Sequence, residues 1–284
     1  MKIAYIVSAY KNPDQVVRLI RRVDGSHARV FLHVDRKTSD EDYGRIARPL
    51  SGVANVELLD RHRCYWGGFG HVRATLKGID AALRSGFDFD YAVLLTGQDY
   101  PIATTAGIEE VFRSSDGRSY MSHFALPTDE WEGGGLDRIE RWHVRLRSRR
   151  YVIEPRPRIG VRRRFPLGLQ PFGGSAYWCL SRRCVEYVDE FVGRNPSFVR
   201  FFRHVEVPDE LFFQTILMNS PLRGSIVDDD LRYVEWRDWN DSRPAALRTG
   251  DFAKIMSSGK LFARKFDVEE DAEILDLIDA ALGE

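Results

Sequence analysis

Cysteine is scarce in this chain of 284 residues: only Cys64, Cys179 and Cys184 are present. Their separations fit neither a disulfide framework nor a metal-ligand pattern, which points to a reducing compartment. Apolar runs of the roughly 18 residues that a membrane span needs are missing as well. The opening MKIAYIVSAY runs straight into apolar, β-branched sequence without the shape of a secretory signal, so export is not expected. Low-complexity stretches and internal repeats are absent, and 43% of the residues are hydrophobic, which together exclude disorder. Net charge is lacking too, with 42 basic residues facing 42 acidic ones. No recognition motif accompanies the basic residues, so nucleic acid is not an expected partner. These exclusions leave a cytoplasmic enzyme of bacterial type as the expectation, long enough to bury a core without staples.

Several chemical motifs are also missing. The first apolar run is followed by Tyr10-Lys11-Asn12-Pro13 rather than G-x-G-x-x-G, which argues against a dinucleotide site. No G-x-x-x-x-G-K-[ST] loop cradles phosphates, no G-x-S-x-G elbow carries a serine nucleophile, and no H-E-x-x-H pair holds zinc. Trp66-Gly67-Gly68-Phe69-Gly70 is glycine-rich, but an aromatic opens it and it reads as a turn into a helix. Two segments could supply an Asp-x-Asp for a divalent ion. Asp88-Phe89-Asp90 precedes its strand, at the wrong end of a sheet. Asp228-Asp229-Asp230 reads as a solvated turn, with a metal site as the alternative.

What is present is a βα rhythm over about the first 100 residues. Ile3 to Ser8, Val30 to Val34, Val56 to Leu59 and Tyr91 to Thr96 are apolar runs read as buried strands. Between them, helices open at Asn12-Pro13-Asp14 and run from Gly68 to Arg84. Strands alternating with helices predict an α/β fold with a mostly parallel central sheet flanked by helices. Ligands of such sheets bind beyond the carboxyl ends of the strands, where Ser8, Asp35 to Lys37 and Gln98 to Asp99 fall. Residues 125–170 lose the rhythm and form a Gly-, Arg- and Pro-rich excursion. Further on, a strand is expected at Gly174 to Trp178, a helix near Arg182 to Val192, a buried helix over Pro208 to Met218, and a strand over Leu231 to Trp236. Two helices then finish the chain. No linker is visible, so one domain over 1–284 is expected.

Zero net charge hides a local excess: ten arginines lie between Arg141 and Phe165 against the single acid Glu154. Such a block is either a solvated surface or a contact for an anionic partner, with Arg141 to Arg164 placed to touch an anionic membrane. Elsewhere acids and cations are spread over several loops. A nucleoside diphosphate leaving without a metal needs fixed cations. Lys265, anchored between aromatics, offers one, and Arg243 and Arg248 are further candidates. An alcohol attacking an acetal carbon needs a carboxylate base. Glu210 and Asp99 both qualify, although either can instead be an ordinary helix-dipole or capping acid.

Six segments in order resemble glycosyltransferase family 14, the core-2/I-branching β-1,6-N-acetylglucosaminyltransferase and peptide O-xylosyltransferase family. They are His33 to Lys37, Trp66-Gly67-Gly68, Leu94 to Ile102, Gly174 to Tyr177, Pro208-Asp209-Glu210 and Leu261 to Asp267. The resemblance implies a variant GT-A fold forming a single nucleotide-sugar-binding domain, a UDP-sugar donor, an inverting reaction and no required cofactor or metal. It further implies nucleoside contacts at Asp35, Arg36 and Lys37, with Val7 lining the uracil pocket and Trp66 beside the donor. Lys265 matches the family's diphosphate-binding lysine, and Arg243 lies near its partner arginine. Gly174, Ser175, Tyr177 and Trp178 are the implied substrate contacts. Glu210 matches the base of the N-acetylglucosaminyltransferase branch and is the preferred base here. In the xylosyltransferase branch that role lies closer to Asp99. Phe212 to Thr215 and Asn219-Ser220-Pro221 lean towards the xylosyltransferases, which leaves the donor open between N-acetylglucosamine and xylose.

The anchor, stem and disulfides of eukaryotic members are not read in this sequence. The expectation is therefore a bacterial member that is inverting and metal-independent, extending a surface polysaccharide on a glycan or lipid-linked acceptor at the inner face of the plasma membrane. The alternatives are a retaining, metal-dependent UDP-sugar transferase and a catalytically silent carbohydrate-binding protein on the same scaffold.

Overall fold

The computed structural model of the chain describes residues 1–129, 131–154, 163–237 and 243–283. Alternation along the first strand, β1 (Ile3–Ala9), sends Ile3, Tyr5 and Val7 into one hydrophobic cluster and Ala4 and Ile6 into another. A strand apolar on both faces has to be covered on both sides. Helices α1 (Pro13–Val23) and α2 (Asp40–Leu50) follow β1 and β2 (Ala28–Val34) and pack on the first face. After β3 (Val56–Leu58), α3 (Gly70–Arg84) packs on the second, and β4 (Tyr91–Thr96) completes the series. At the start of α1, Asn12 takes the left-handed backbone (φ 51°) that asparagine tolerates, and Pro13 pre-sets the first turn.

The remaining elements are shorter. They are β5 (Asp99–Pro101), α4 (Thr105–Ser114), β6 (Ser119–Met121), β7 (Phe124–Ala125), α5 (Asp137–Glu140), β8 (Trp142–Leu146) and β9 (Arg149–Ile153). Then come β10 (Phe172–Gly173), β11 (Trp178–Ser181), α6 (Arg182–Arg194), α7 (Pro196–Phe202) and α8 (Phe212–Met218). The chain closes with β12 (Ile226–Val227), β13 (Arg232–Val234), α9 (Phe252–Ser257), β14 (Phe262–Arg264) and α10 (Glu273–Leu282).

The central sheet has seven strands in the order β12-β6-β11-β4-β1-β2-β3. Its β3, β2, β1 and β4 are parallel, whereas β11 runs antiparallel to both β4 and β6. This is the expected α/β architecture, with a mixed rather than all-parallel sheet. The register pairs Ser8 with both His33 and Thr96, so Tyr10, Asp35 and Gln98-Asp99 emerge at one carboxyl edge.

Three local expectations change. Asp99 does not end in a loop. It begins β5, which pairs antiparallel with β14 in a separate three-stranded sheet, β13-β14-β5. Gly174 to Tyr177 is not strand; β11 starts at Trp178. The helix expected over Pro208 to Met218 is broken into a single tight turn at Pro208–Glu210 and α8, because Leu211 (φ −132°) between them leaves the helical region.

Candidate active site

A buried carboxylate lies at the carboxyl edge of the sheet. Asp99 is 0% exposed, and its Oδ2 accepts hydrogen bonds from the Thr96 amide (2.6 Å) and hydroxyl. Its Oδ1 faces two guanidinium groups, with Arg264 Nε at 3.5 Å and Arg232 Nε at 3.8 Å. The sheet register produces this pairing, since Arg264 is the cross-strand partner of Asp99 and Val234 pairs with Arg264 from the other side. Arg232 is spent on structure: it also donates to Leu94 O and, at 2.6 Å, to Asp230 O. Arg264 instead lays its guanidinium over the Tyr177 ring, 4.2 Å from the centroid. Burial raises the Tyr177 phenol, so it remains a neutral hydroxyl.

Glu210 is linked to this cluster electrostatically, through Arg264. Arg138 of α5 donates to its carboxylate at 2.7 Å while stacking on Trp131 (3.6 Å to the ring centroid). The Glu210 side chain is 33% exposed, so it can meet a substrate as Asp99 cannot. Burial, then neighbouring Asp209, pushes its carboxyl above the ordinary glutamate range, against the opposing pull of Arg138 and Arg264. The backbone there is strained: Val207, β-branched, takes a left-handed conformation that its amide bond to Gly67 O (3.1 Å) holds in place. The Glu210 carbonyl accepts from the Gly174 amide (3.0 Å), and Gln214 Nε2 donates to Ser175 O (2.5 Å). Gly174 has no room for a Cβ against the Ser122 backbone. Gly174, Ser175 and Tyr177 therefore form a loop tied to Glu210, while Trp178 is buried in β11.

The residues expected around the nucleoside divide. Trp66 is 59% exposed, with the Arg243 guanidinium 6.0 Å from its ring centroid. Arg36 and Lys37 are exposed, and Lys37 Nζ lies 4.8 Å from the ring centroid of Tyr65, the residue before Trp66. Asp35 is buried and organises its own turn, accepting from the Lys37 amide (2.8 Å) and the Cys64 amide (3.3 Å). Val7 is 1% exposed inside the core. Lys265 is half-buried, directly after Arg264. Arg248 pairs at the surface with Glu270 (2.9 Å).

One expectation is overturned outright. Three possible metal donors, His33, His62 and Cys64, come together with ligand atoms within 4.8 Å of one another, which corrects the reading of a metal-independent enzyme with no metal-ligand pattern. His33 ends the buried face of β2, and the other two sit in the loop after β3. Burial holds His33 down to about 3 and pushes the Cys64 thiol up to about 12. The Asp228 to Asp230 run is occupied otherwise: Asp228 accepts from the His123 amide (2.8 Å), Asp229 pairs with Lys260 (2.7 Å), and Asp230 accepts from the Arg232 amide (3.1 Å).

The basic excursion is likewise not one solvated patch. Arg163 is buried and donates to the carbonyls of Ile139, Arg141, His204 and Phe201. Arg145 and Arg150 both reach Glu206 at 2.8 Å, which ties the β8–β9 hairpin to the segment before Glu210. Arg156, Arg158 and Arg162 lie outside the described residues. Sequence reasoning missed Arg138, which falls in the irregular excursion. It also did not single out Arg264, whose guanidinium faces the Asp99 carboxylate.

Because Arg138 lowers the Glu210 pKa, Arg138→Ala should raise it further. A base works only above its pKa, so with Glu210 as the base the acid limb of kcat/KM should sit on the high side of the ordinary glutamate range and move to still higher pH in the variant. An unchanged acid limb would remove Glu210 from the titrating role.

Residues 3–261 match the family described as Core-2/I-Branching enzyme. Among curated relatives, xylosyltransferase 2 of Rattus norvegicus is 26% identical over 302 residues, covering 98% of this chain and 33% of the relative. Xylosyltransferase 2 of Homo sapiens shows 26% identity with the same coverage, and xylosyltransferase oxt of Drosophila melanogaster 27%, over 89% of this chain and 30% of the relative. The chain thus spans about a third of the length of these relatives. They are vertebrate and insect proteins, which overturns the expectation of a bacterial member. By its match over nearly the whole length, the chain belongs to the Core-2/I-branching enzyme family.

Proposed function

We propose that the chain works as one transferase unit over 1–284, moving a sugar from a UDP-sugar to a hydroxyl of a glycan or lipid-linked saccharide. The observation that carries this reading is Glu210: a partly exposed carboxylate with a raised pKa, held by Arg138 and within electrostatic reach of Arg264. The acceptor hydroxyl gives its proton to Glu210 as its oxygen bonds to the anomeric carbon, and the bond from that carbon to the diphosphate breaks. Arg264 and the adjacent Lys265 balance the charge on departing UDP, with Trp66 and Arg243 flanking the nucleotide. Asp99, enclosed by two arginines, positions Arg264 rather than taking a proton. The names of the relatives make xylose the first donor to test. The His33, His62 and Cys64 set favours a metal-bearing enzyme over metal-free chemistry, while the single displacement at Glu210 departs from the retaining course of that alternative.

In a screen of UDP-sugars, UDP-xylose should raise the melting temperature, as a ligand of the folded form does. Glu210→Gln should then lose about 100-fold or more in turnover, the scale of general-base assistance, while keeping the shift with UDP. A near-normal rate in the variant would contradict the assignment.

A peripheral membrane contact is supported by the hairpin. Leu146, Tyr151, Val152 and Ile153 are exposed hydrophobic side chains on β8 and β9, flanking Arg147 and Arg149. Among the described residues no helix is long and apolar enough to cross a membrane. The three cysteines are buried and unpaired, which supports a reducing compartment such as the cytoplasm. Vesicles containing anionic lipid should sediment the protein at low salt, and reversing the charge at Arg147 and Arg149 should abolish this. Equal binding to neutral vesicles, or none to anionic ones, would contradict the contact.

A further inference from the structure

The His33, His62 and Cys64 cluster is internally mismatched as an apo hydrogen-bond network. His62 Nε2 lies 2.9 Å from Gly70 O, an acceptor only, so this nitrogen carries the proton. In a neutral ring His62 Nδ1 then holds the lone pair, and it points at His33 Nε2, 3.0 Å away. His33 Nε2 in turn is the target of the His62 backbone N–H (3.2 Å), so it too presents a lone pair. Two lone pairs face each other at a distance that wants a cation between them. A proton would make a buried imidazolium, which desolvation opposes. Cys64 Sγ lies 3.6 Å from His62 Nε2, the ring edge that faces Gly70 O, and nearby Asp35, buried, accepts the Cys64 amide (3.3 Å).

We propose that His33, His62 and Cys64 bind a zinc ion. Two imidazoles and a thiolate are the nitrogen and sulfur donors that zinc selects, while magnesium and manganese prefer an all-oxygen shell. The supporting contacts are those of a zinc ligand set: His62 gives its second N–H to a backbone carbonyl, which fixes the tautomer. Zinc binding releases the Cys64 thiol proton to solvent, and the thiolate offsets one charge of the divalent ion, while Asp35 nearby is paired with Lys37 (3.3 Å). Tetrahedral zinc with ordinary bond lengths spaces its donors by about 3.3–3.7 Å. Closing the present 4.8 Å spread by about 1 Å also turns the Cys64 side chain from the Nε2 edge of His62 towards Nδ1, within a loop at 59–65 that carries two of the three ligands and no regular structure. Among the described residues the set stops at three, which leaves a coordination position for water or a substrate oxygen. The ion would pin the end of β2 to the loop leading into Trp66, at the edge where the nucleotide is proposed to sit.

The test reads the metal on the protein itself, so it stands or falls separately from sugar transfer. Protein purified without chelators should contain one equivalent of zinc by elemental mass spectrometry. Stripped protein refilled with cobalt should show thiolate-to-cobalt charge-transfer absorption. Cys64→Ser and His62→Asn, checked for native circular dichroism, should lose affinity by more than the roughly 10–100-fold that a missing supporting hydrogen bond costs. Sub-stoichiometric zinc in folded wild-type protein, or cobalt bound without the thiolate band, would overturn the proposal. The wild-type cobalt spectrum decides the matter even if both variants misfold.

Discussion

The site depends on one buried charge. An isolated carboxylate at 0% exposure would be untenable, so Asp99 requires the Thr96 donors and the two guanidiniums that surround it. Meeting that requirement fixes the register of β14 against β5 and brings a segment from near the chain's end to the edge of a sheet built by its first hundred or so residues. It also commits Arg232 to backbone carbonyls and leaves Arg264 to cover Tyr177. The cation proposed to receive the leaving group is thus placed by an acid that itself cannot reach substrate.

A second set of constraints delivers Glu210. Val207 is held in a left-handed backbone by Gly67 O, Glu206 is clamped by Arg145 and Arg150 of the hairpin, and the Gly174 amide binds the Glu210 carbonyl. Trp66, the hairpin and the 174–177 loop therefore meet at Glu210 although they are far apart in sequence. Among the described residues, arginines of the excursion serve this assembly: Arg163 is internal scaffolding, Arg145 and Arg150 are struts, and the exposed Arg147 and Arg149 are available to a partner.

Much of the fold was legible from local pattern. Continuous apolar runs at β1, β2 and β4 and the Asn12-Pro13 helix start carry their signals within a few residues, and the parallel arrangement they imply puts Asp35 and Asp99 at one edge. The departures are non-local. Asp99-Tyr100-Pro101 is a strand only because β14 lies beside it, and three residues carry no periodicity. Arg264 was not singled out because spacing cannot show which side chain a strand turns towards a buried acid. Arg138 was hidden in irregular sequence. His33 lies 29 residues from His62, a separation that resembles no ligand motif until the parallel register of β2 and β3 brings the loop alongside.

The account stands most directly on a crystal structure of the protein with UDP bound. It predicts the diphosphate against Arg264 and Lys265, the base beside Trp66, and Glu210 facing the position of the departing sugar. A diphosphate bound away from Arg264, with Glu210 pointing elsewhere, would contradict it.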